Sequence, residues 1–584
     1  MRIKSGPGLG AVLFFLLLGP AVSAAAGVPL ELTVFHVNDT HSHMEEMGGS
    51  LKIKGVKTYL NLGGAARMAE KLNRVRAGGG HVLFLHAGDA TQGTLYFTKY
   101  RGEVEMKLLN SLSCDAMVVG NHEFDQGPEG TARLISLAGF PILGANLDAA
   151  QDKNLNGRIK PYVIREIGGA KVGLIGLVTP RTRDISSPGD RIVFLDVERT
   201  ARKCVAELEA AGVNKIILLT HLGYEADKTL AARVKGIDLI VGGHSHTLLG
   251  DKAALARVGL VPQGEYPTTV PGPAGEPVFI VQSWEWAKAV GILQVSFNGQ
   301  GVITQARGNA VLLVGGPFRQ KDKTGKKAAV DEKTLGEIME YLVSGKAAEQ
   351  VPPDPRTLAL LKPYHDEVAD LQKEVVARVA EDLLHVRQPG PHPSGAILRH
   401  GSQVAPLVAR SMLAKAAAVG LKPDLALQNA GGIRTDLLSG SLTVGQVQTL
   451  LPFANTLYLL ELTGKEIREA LNHGVARSGG AFPYLAGAEY VLDPAQPEGE
   501  RVVRIELSGP DGSWKPLEDR TVYRVVTNSF LAGGGDGYAV FKNTPGKRYD
   551  TGFVDALVFM DFVRGRELRR PGRTGIWFRG ENRK

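Results

Sequence analysis

Short apolar runs alternate with amphipathic segments through the first half of the chain. Apolar positions at helical spacing predict helices near 65–77, 103–111, 197–211 and 230–235. Runs rich in valine, isoleucine and leucine predict strands near 30–37, 82–86, 116–119, 171–178, 215–220, 239–241, 277–282 and 290–297. Strands that alternate with helices in this way predict a layered α/β sheet.

The pattern changes after about residue 315. A polar stretch begins at Arg319, a short amphipathic helix is predicted near 335–345, and Pro352, Pro353 and Pro355 cannot continue it. A long helical pattern then runs over 356–381. We therefore expect a first domain over 27–318, a linker with a linker helix over 319–379, a second domain over 380–570 and a basic tail over 571–584.

The first residues have the features of an export signal. Arg2 and Lys4 precede a short apolar run, and small residues at 22–26 offer cleavage sites near Ala24 to Ala26. The run is too short to span a bilayer, and no later stretch approaches the length of a membrane helix. The sequence predicts a signal peptide over 1–26 and a periplasmic or secreted protein without a stable membrane anchor.

Composition narrows the class further. The 584 residues include 68 lysines and arginines against 60 acidic residues, a modest net charge of +8. Basic clusters at 319–327 and 564–573 are interpreted as a solvated linker and tail, and we expect no nucleic-acid partner because no such binding module is present. The two cysteines, Cys114 and Cys204, could pair in an oxidising compartment or remain as buried thiols.

Metal-binding side chains follow five of the predicted strands. Ligands gather at strand ends in α/β sheets, and clustered His, Asp and Asn side chains can hold divalent metals. The residues at these ends are Asp39, His41, Asp89, Asn121, His122, His221, His244 and His246.

These blocks resemble the calcineurin-like dinuclear metallophosphoesterases. The resemblance implies two divalent ions (Zn, Mn, Co or Fe) that share Asp89. It implies one ion bound by Asp39, His41, Asp89 and His246, and the other by Asp89, Asn121, His221 and His244. It also implies a catalytic role for His122, oriented by Asp125, although Asp125 could instead cap a helix. His43 is expected near the ligands without binding metal, and His36 and His86 as packed residues.

Three blocks in the second half resemble the C-terminal domain of the secreted 5′-nucleotidase and UDP-sugar hydrolase family. They are Gln428-Asn-Ala-Gly-Gly-Ile-Arg434, Leu451-Pro-Phe-Ala-Asn455 and Asn528-Ser-Phe-Leu-Ala-Gly-Gly-Gly-Asp-Gly-Tyr538. The resemblance implies an α/β fold, with an N-terminal four-layer αββα metallophosphoesterase sandwich joined by a linker helix to a smaller α/β C-terminal substrate-binding domain. The residues it implies for substrate binding are Phe453 and Phe530 for the base, Asp536 for ribose, Arg434 for phosphate, and Asn429, Asn455 and Gly480 around them.

One stretch departs from the family pattern. Where the family has a Gly-Asn pair, this chain has Ala405 and Pro406, and Arg410 replaces an aspartate. Arg399 or Arg387 could supply the missing phosphate contact.

The sequence thus predicts an exported, metal-dependent phosphoric monoester hydrolase acting on nucleoside 5′-phosphates, with UDP-sugars as further substrates. Alternatives on the same scaffold are a 2′,3′-cyclic-nucleotide phosphodiesterase with 3′-nucleotidase activity, and a thiosulfohydrolase. An alternative from another class is a catalytically dead nucleotide-binding protein. The sequence leaves the oligomeric state open.

Overall fold

Two stacked sheets form the first half of the chain in the computed structural model, which describes residues 27–509 and 512–581. The predicted signal peptide lies outside these residues. The helices here are α1 (Ala65–Ala77), α2 (Leu95–Tyr100), α3 (Glu103–Ser111), α4 (Gly127–Leu137), α5 (Thr182–Ile185), α6 (Val197–Ala210), α7 (Tyr224–Arg233), α8 (Lys252–Arg257), α9 (Glu332–Gly345) and α10 (Pro355–Leu371). The strands are β1 (Leu30–Val37), β2 (Met47–Ile53), β3 (Val56–Leu62), β4 (His81–His86), β5 (Ala116–Val118), β6 (Ile142–Leu143), β7 (Leu147–Asp148), β8 (Tyr162–Ile167), β9 (Ala170–Val178), β10 (Val193–Phe194), β11 (Ile216–His221), β12 (Leu239–Val241), β13 (Thr268–Pro271), β14 (Pro277–Val281), β15 (Ala289–Phe297), β16 (Ile303–Lys321), β17 (Lys327–Ala329) and β18 (Ala348–Gln350).

The two sheets pack face to face and helices cover their outer faces. The larger sheet has the order β2-β3-β16-β15-β1-β4-β5-β6, and the smaller has the order β13-β14-β12-β11-β9-β8. Apolar side chains of both sheets, such as Val34 and Leu218, share one buried core. Helix α1 packs on β4 and helix α6 on β9. This arrangement confirms the predicted αββα sandwich.

The second half is a smaller α/β unit. Its helices are α11 (Ala405–Ala418), α12 (Val444–Leu450), α13 (Gly464–Arg477), α14 (Ser529–Ala532), α15 (Ala539–Asn543) and α16 (Asp555–Val563). Its strands are β19 (Val375–Val379), β20 (Gly390–Pro391), β21 (Ile397–Leu398), β22 (Leu425–Asn429), β23 (Gly440–Thr443), β24 (Thr456–Thr463), β25 (Pro483–Ala486), β26 (Ala488–Leu492), β27 (Val502–Ser508), β28 (Trp514–Pro516), β29 (Val522–Asn528), β30 (Arg548–Val554), β31 (Glu567–Leu568) and β32 (Ile576–Phe578). A central sheet of order β25-β22-β29-β24-β30 carries helix α11 on one face, where α11 also packs against α16.

Three predicted segments differ from the structure. The polar stretch from Arg319, predicted as the start of a linker, instead completes β16 and pairs with β17. The long helix predicted over 356–381 ends at Leu371, and Val375–Val379 forms β19. The predicted tail contains β32, which pairs with β26, so residues 576–578 belong to a sheet.

Helix α10 lies against the sandwich. The hydroxyl of Tyr100 donates a hydrogen bond of 2.8 Å to Glu367, and Lys107 donates one of 2.8 Å to the hydroxyl of Tyr364. The rings of Tyr100 and Tyr364 meet edge to face at 4.9 Å. The helix is therefore fixed to α2 and α3, and the chain first leaves the sandwich after Leu371.

Two further expectations concern the chain as a whole. Cys114 and Cys204 are both buried and unpaired. Among the described residues, every helix is too short or too polar to cross a membrane.

Candidate metal centre and nucleotide pocket

The predicted ligands converge where the carboxyl ends of both sheets meet. Strands β1, β4 and β5 run parallel in one sheet, as do β11 and β12 in the other. Their carboxyl ends therefore lie on the same side of the sandwich. The loops that follow these strands carry Asp39, His41, Asp89, Asn121, His244 and His246, and His221 ends β11 itself.

The ligand atoms form two groups, and Oδ2 of Asp89 is near both, at 3.0 Å from Nε2 of His221 and 3.9 Å from Nε2 of His41. In one group Nε2 of His41 and Nε2 of His246 are 3.1 Å apart, and His246 is 3.4 Å from Oδ1 of Asp39. In the other group Nε2 of His221 is 3.0 Å from Oδ2 of Asp89 and 3.2 Å from Oδ1 of Asn121. His244 joins this second group with Asp89 and His221.

The spacing of these atoms fits metal ions. Neighbouring ligands at about 2.1 Å from one ion stand about 3.0–3.4 Å apart, the separation observed in both groups. Burial lowers the pKa of His41 and His244 to about 3, which favours the neutral imidazole that binds a metal. The neighbouring Asp89 and Asp39 carboxylates instead raise the pKa of His221 and His246 in the absence of a metal. A set of four histidines with aspartate and asparagine suits a transition metal better than calcium.

Hydrogen bonds fix the ring orientations of the histidines. Nδ1 of His246 lies 2.8 Å from Oε2 of Glu285, and Nδ1 of His221 lies 2.8 Å from the carbonyl of Ala87. Acceptors at Nδ1 leave Nε2 free to face the centre. Glu285 is itself bound by Lys288 at 2.7 Å.

The ligand loops have an unusual backbone. Asp39, His41, Asp89, His244 and His246 all adopt the left-handed region, with φ between 47° and 76°. Such conformations in residues other than glycine cost energy and cluster at functional sites. The loops are also packed too closely for side chains at two glycines, because a Cβ at Gly88 would lie 2.6 Å from Nδ1 of His221 and one at Gly120 would lie 2.2 Å from Oδ1 of Asp89.

His122 forms a short hydrogen bond with Asp125. Nδ1 of His122 lies 2.6 Å from Oδ2 of Asp125, whose other oxygen accepts a bond of 2.7 Å from Ser186. Burial alone would lower the pKa of His122, but the charges of Asp125 and Asp89 outweigh it and raise the pKa to about 9. Asp125 is not the N-cap of α4, since the residue preceding that helix is Gln126. His122 is also close enough to His41 and Asp89 to share a metal-sized site with them.

The other histidines are packed as expected. His36 and His86 are fully buried on β1 and β4. His43 is buried and its ring stacks on Trp286 at 4.5 Å, outside the groups of ligand atoms.

Glu123 is a site residue that was not predicted from the sequence. Its carboxylate accepts hydrogen bonds from the backbone N–H groups of Asp89, Ala90, Thr91 and Gly120, and from the Thr91 hydroxyl. It thereby joins the loop after β4 to the loop after β5. The only sequence signal is its position between His122 and Asp125 in the same block.

A second site lies in the smaller unit. A cavity of about 490 Å³ is lined by Arg387, Asn429, Gly431, Gly432, Arg434, Phe453, Asn455, Gly480, Phe530 and Asp536. Seven of the eight predicted substrate residues are among them. The exception is Arg399, which lies exposed after β21, whereas Arg387 lines the cavity.

The cavity has a polar floor and two aromatic walls. Nδ2 of Asn429 donates a bond of 2.9 Å to Asp536, and Asn528 donates one of 2.9 Å to Asn429. Phe453 and Phe530 are 50% and 47% exposed, which is unusual for phenylalanine and leaves their rings available for stacking. The departing residues Ala405 and Pro406 are buried at the start of α11, away from this lining.

The two sites are separate in this structure. The metal-centre face is in contact instead with β30: Oδ2 of Asp550 is 3.7 Å from Nδ1 of His246, and the ring of Phe553 meets that of His122 at 5.6 Å. A side chain at Gly552 would collide with Nε2 of His122. The guanidinium of Arg181 also lies 3.4 Å above the ring of Tyr549.

The geometry and comparisons with known proteins agree on the class. The first half, over residues 32–248, matches the calcineurin-like phosphoesterase family, so the metal centre is that of a metallophosphoesterase. Residues 388–543 match the 5′-nucleotidase C-terminal domain. The chain belongs to the 5′-nucleotidase family and is a phosphoric monoester hydrolase.

Individual relatives cover nearly the whole chain. It is 36% identical to the "Probable 5′-nucleotidase" of Treponema pallidum, over 91% of this chain and 92% of that protein. The solved structure of the Haemophilus influenzae NAD nucleotidase is similar with a TM-score of 0.83 at 33% identity, covering 95% of this chain and all of that one. A 5′-nucleotidase precursor from Thermus thermophilus superposes with a TM-score of 0.57 at 39% identity, over 94% of this chain and 100% of that one.

Proposed function

We propose that the protein is an exported 5′-nucleotidase that hydrolyses nucleoside 5′-phosphates with the help of two divalent metals. The observation that carries this proposal is the pairing of a convergent His, Asp and Asn centre with a separate cavity walled by Phe453 and Phe530. The relatives named as 5′-nucleotidases support the reaction, and the export features of residues 1–26 support the location.

The seven ligand residues would hold the metals, with Asp89 between the two groups. Bound metals supply an activated water and neutralise charge on the phosphoryl group. His122, kept cationic by Asp125, would contact a phosphoryl oxygen or protonate the leaving group. Zinc, manganese, cobalt and iron all fit the donor set.

In the cavity, Phe453 and Phe530 would stack on the two faces of the base. Asp536 would accept hydrogen bonds from ribose hydroxyls, with Asn429 and Asn455 beside the base. Arg434 and Arg387 would bind phosphate, and Arg387 replaces Arg399 in this role because it lines the cavity. The Phe pair gives specificity for nucleotides over other phosphate esters, since stacking on an aromatic is worth about 1–3 kcal/mol per base.

Because the cavity and the metal centre are separate, we also propose that the second domain moves during catalysis. The linker predicted over 319–379 allows this motion. Because α10 is attached to the sandwich, the hinge would lie after Leu371.

Dinucleotides are a second candidate substrate class. The relative with the similar structure is named a NAD nucleotidase, and the half-exposed rings of Phe453 and Phe530 leave the cavity open to a larger ligand. UDP-sugars present the same diphosphate chemistry. The cyclic phosphodiesterase and thiosulfohydrolase alternatives are tested in the same assay.

The test is hydrolysis by the protein, metal-stripped and then reloaded with manganese, zinc or cobalt. It is followed as phosphate release from the monoesters, and by chromatography of the products from the diphosphates and the cyclic ester, whose first cleavage frees no inorganic phosphate. Substrates are AMP, NAD, UDP-glucose, 2′,3′-cyclic AMP and an aryl phosphate, with cleavage of a thiosulfate conjugate measured alongside. We expect metal-dependent AMP turnover that Asp89→Asn or His122→Ala abolishes. The nucleotidase assignment would be wrong if turnover were confined to the aryl phosphate or the thiosulfate conjugate.

The cavity is tested by a double variant. The double variant Phe453→Ala, Phe530→Ala should raise KM for AMP by about 5-fold to 160-fold, from the stacking energy lost, with little change for the aryl phosphate. Trp514→Ala is the matched control, because Trp514 is a partly exposed aromatic outside the cavity. An unchanged KM in the double variant would remove the base-binding role.

A further inference from the structure

A row of lysines crosses one end of the larger sheet. Strands β2, β3, β16 and β17 are neighbours there, and Lys52 pairs with Lys57 while Lys321 pairs with Lys327. Tyr59 pairs with Arg319, so the antiparallel register places Lys321 level with Lys57. The four lysines therefore lie side by side on four strands, across about 14 Å at the usual strand spacing.

All of these side chains are on the solvent face of the sheet. Leu51, Ile53, Leu60 and Phe318 alternate with them and are buried on the opposite face. The lysine row consists of Lys52, Lys57, Lys321 and Lys327, and Arg319 stands next to it; all five are exposed. Lys323 and Lys326 extend the positive charge into the turn between β16 and β17.

Among the described residues, no carboxylate pairs with this positive charge. Over residues 27–509 and 512–581, none of the five cations beside Tyr59 takes part in an ion pair, whereas nearby Lys54 pairs with Glu337 at 3.1 Å. Like charges placed opposite each other on neighbouring strands destabilise a sheet. Two such pairs in succession favour an anionic partner for this face over the solvated linker predicted from the sequence.

The chemistry of the face favours an anionic surface over a nucleic-acid strand. Antiparallel sheets that bind nucleic-acid strands present exposed aromatic rings on which the bases stack. Among the described residues, Tyr59 is the one aromatic residue at the centre of the row. The ammonium groups of Lys57 and Lys327 lie 5.4 Å and 4.2 Å from the centre of its ring. Its ring is therefore covered rather than free to stack on a base.

We propose that the lysine row docks the protein onto an anionic phospholipid surface. The attraction is electrostatic, so the contact is peripheral and reversible and inserts no helix. Docking would hold the metal centre near the membrane without taking part in hydrolysis.

The experiment measures co-sedimentation with large vesicles. Vesicles of phosphatidylcholine with about one third phosphatidylglycerol should bind the protein at low salt, near 50 mM NaCl, where screening is weak. Pure phosphatidylcholine, or about 500 mM NaCl, should reduce binding at least tenfold. The variant Lys52→Glu, Lys57→Glu, Lys321→Glu, Lys327→Glu should lose binding at least tenfold while its AMP hydrolysis and thermal unfolding stay close to those of the original protein.

A matched variant separates the row from net charge. The matched variant changes the net charge by the same amount at four exposed lysines elsewhere: Lys153→Glu, Lys171→Glu, Lys235→Glu and Lys515→Glu. Its vesicle binding should stay within about threefold of that of the original protein. The proposal is overturned if the original protein ignores the anionic vesicles, or if both quadruple variants lose binding equally. Binding to a single-stranded oligonucleotide without binding to vesicles would also overturn it, and would assign the row to nucleic acid.

Discussion

Asp125 controls the charge of His122. Its carboxylate is the nearest anion to the imidazole, at 2.6 Å, and it is the main reason the pKa of His122 lies near 9 despite burial. Asp125→Asn keeps the shape but removes the charge, so the pKa of His122 falls. We expect kcat for AMP to fall about 10-fold to 100-fold, and the alkaline limb of the kcat–pH profile to move to lower pH.

Ser186→Ala is the control for this prediction. The Ser186 hydroxyl donates to the far oxygen of Asp125, so its loss leaves the charge beside His122 in place. We expect less than about a threefold change in kcat and no movement of the alkaline limb. If the alkaline limb of the kcat–pH profile did not move in Asp125→Asn, the role of Asp125 would be only to position the His122 ring.

The burial of Glu105 predicts that the free energy of unfolding depends on pH. Glu105 is buried on α3 beside the Ser42 hydroxyl, and burial raises its pKa from 4.5 to about 7. Because the folded-state pKa is the higher one, the neutral carboxyl stabilises the fold fully below about pH 4.5, and this contribution is lost as pH rises through about 7. Glu105→Gln has no such loss.

The measurement is the free energy of unfolding in denaturant at several pH values. Glu105→Gln should be more stable than the original protein at pH 8 by up to about 3 kcal/mol, at about 1.4 kcal/mol per pKa unit. The difference should shrink below pH 5. An advantage that is constant across this range would contradict the assigned pKa.

The residues found from sequence and those missed differ in kind. The metal ligands sit in short blocks directly after apolar strands, so both their identity and their place in space follow from the pattern. Arg387 and Arg399 could not be distinguished, because the long segment between β19 and α11 contains only the two-residue strands β20 and β21. Glu123 was missed because a carboxylate that binds backbone N–H groups has no pattern of its own.

At the scale of elements, Glu123 connects two loops that must hold their ligands in register. Glu123→Gln would replace one accepting oxygen with an NH2 group that faces backbone N–H donors, and so would leave buried donors without partners. We expect a loss of about 2–4 kcal/mol in the free energy of unfolding and weaker metal binding. Glu129→Gln on α4, at an accessible position, is the control and should change neither.

Metal binding is measured by titrating the stripped protein with manganese or zinc in a calorimeter. Weaker binding in Glu123→Gln is the expected result even at temperatures where the variant remains folded. If metal affinity were unchanged while stability fell, Glu123 would support the fold without positioning the ligand loops.

Helices and strands were predicted well where the apolar residues follow a single period, and less well where a segment suits helix and strand equally. Strand β1 and helices α1 and α3 have the predicted bounds, because their apolar residues follow a single period. Strand β16 was not among the predicted strands. Only one face is buried near its end, so Phe318 alternates with polar residues there, and Gly315 and Pro317 interrupt the run. The end of α10 was missed because the residues of β19 suit a helix equally, and pairing with β23 decides the outcome.

At the scale of the molecule, the arrangement of the two halves is the feature least accessible from sequence. The Thermus relative is more similar in sequence than the Haemophilus one, yet it superposes with the lower TM-score, 0.57 against 0.83. Similar domains placed at different relative orientations would give such a reversal. In this structure β30 contacts His122 and His246, and its backbone at Gly552 lies directly against the His122 ring.

This arrangement predicts that fixing β30 in place stops turnover. Arg181→Cys with Tyr549→Cys puts thiols on the two residues that stack across the contact, and a short reducible bis-thiol cross-linker can join them. The chain's own Cys114 and Cys204 are buried and should not compete. AMP hydrolysis should fall to a few per cent on cross-linking and return when a reductant cleaves the linker. Each single-cysteine variant treated in the same way should keep its activity, and full turnover by the cross-linked double variant would show that catalysis proceeds without separating β30 from the metal centre.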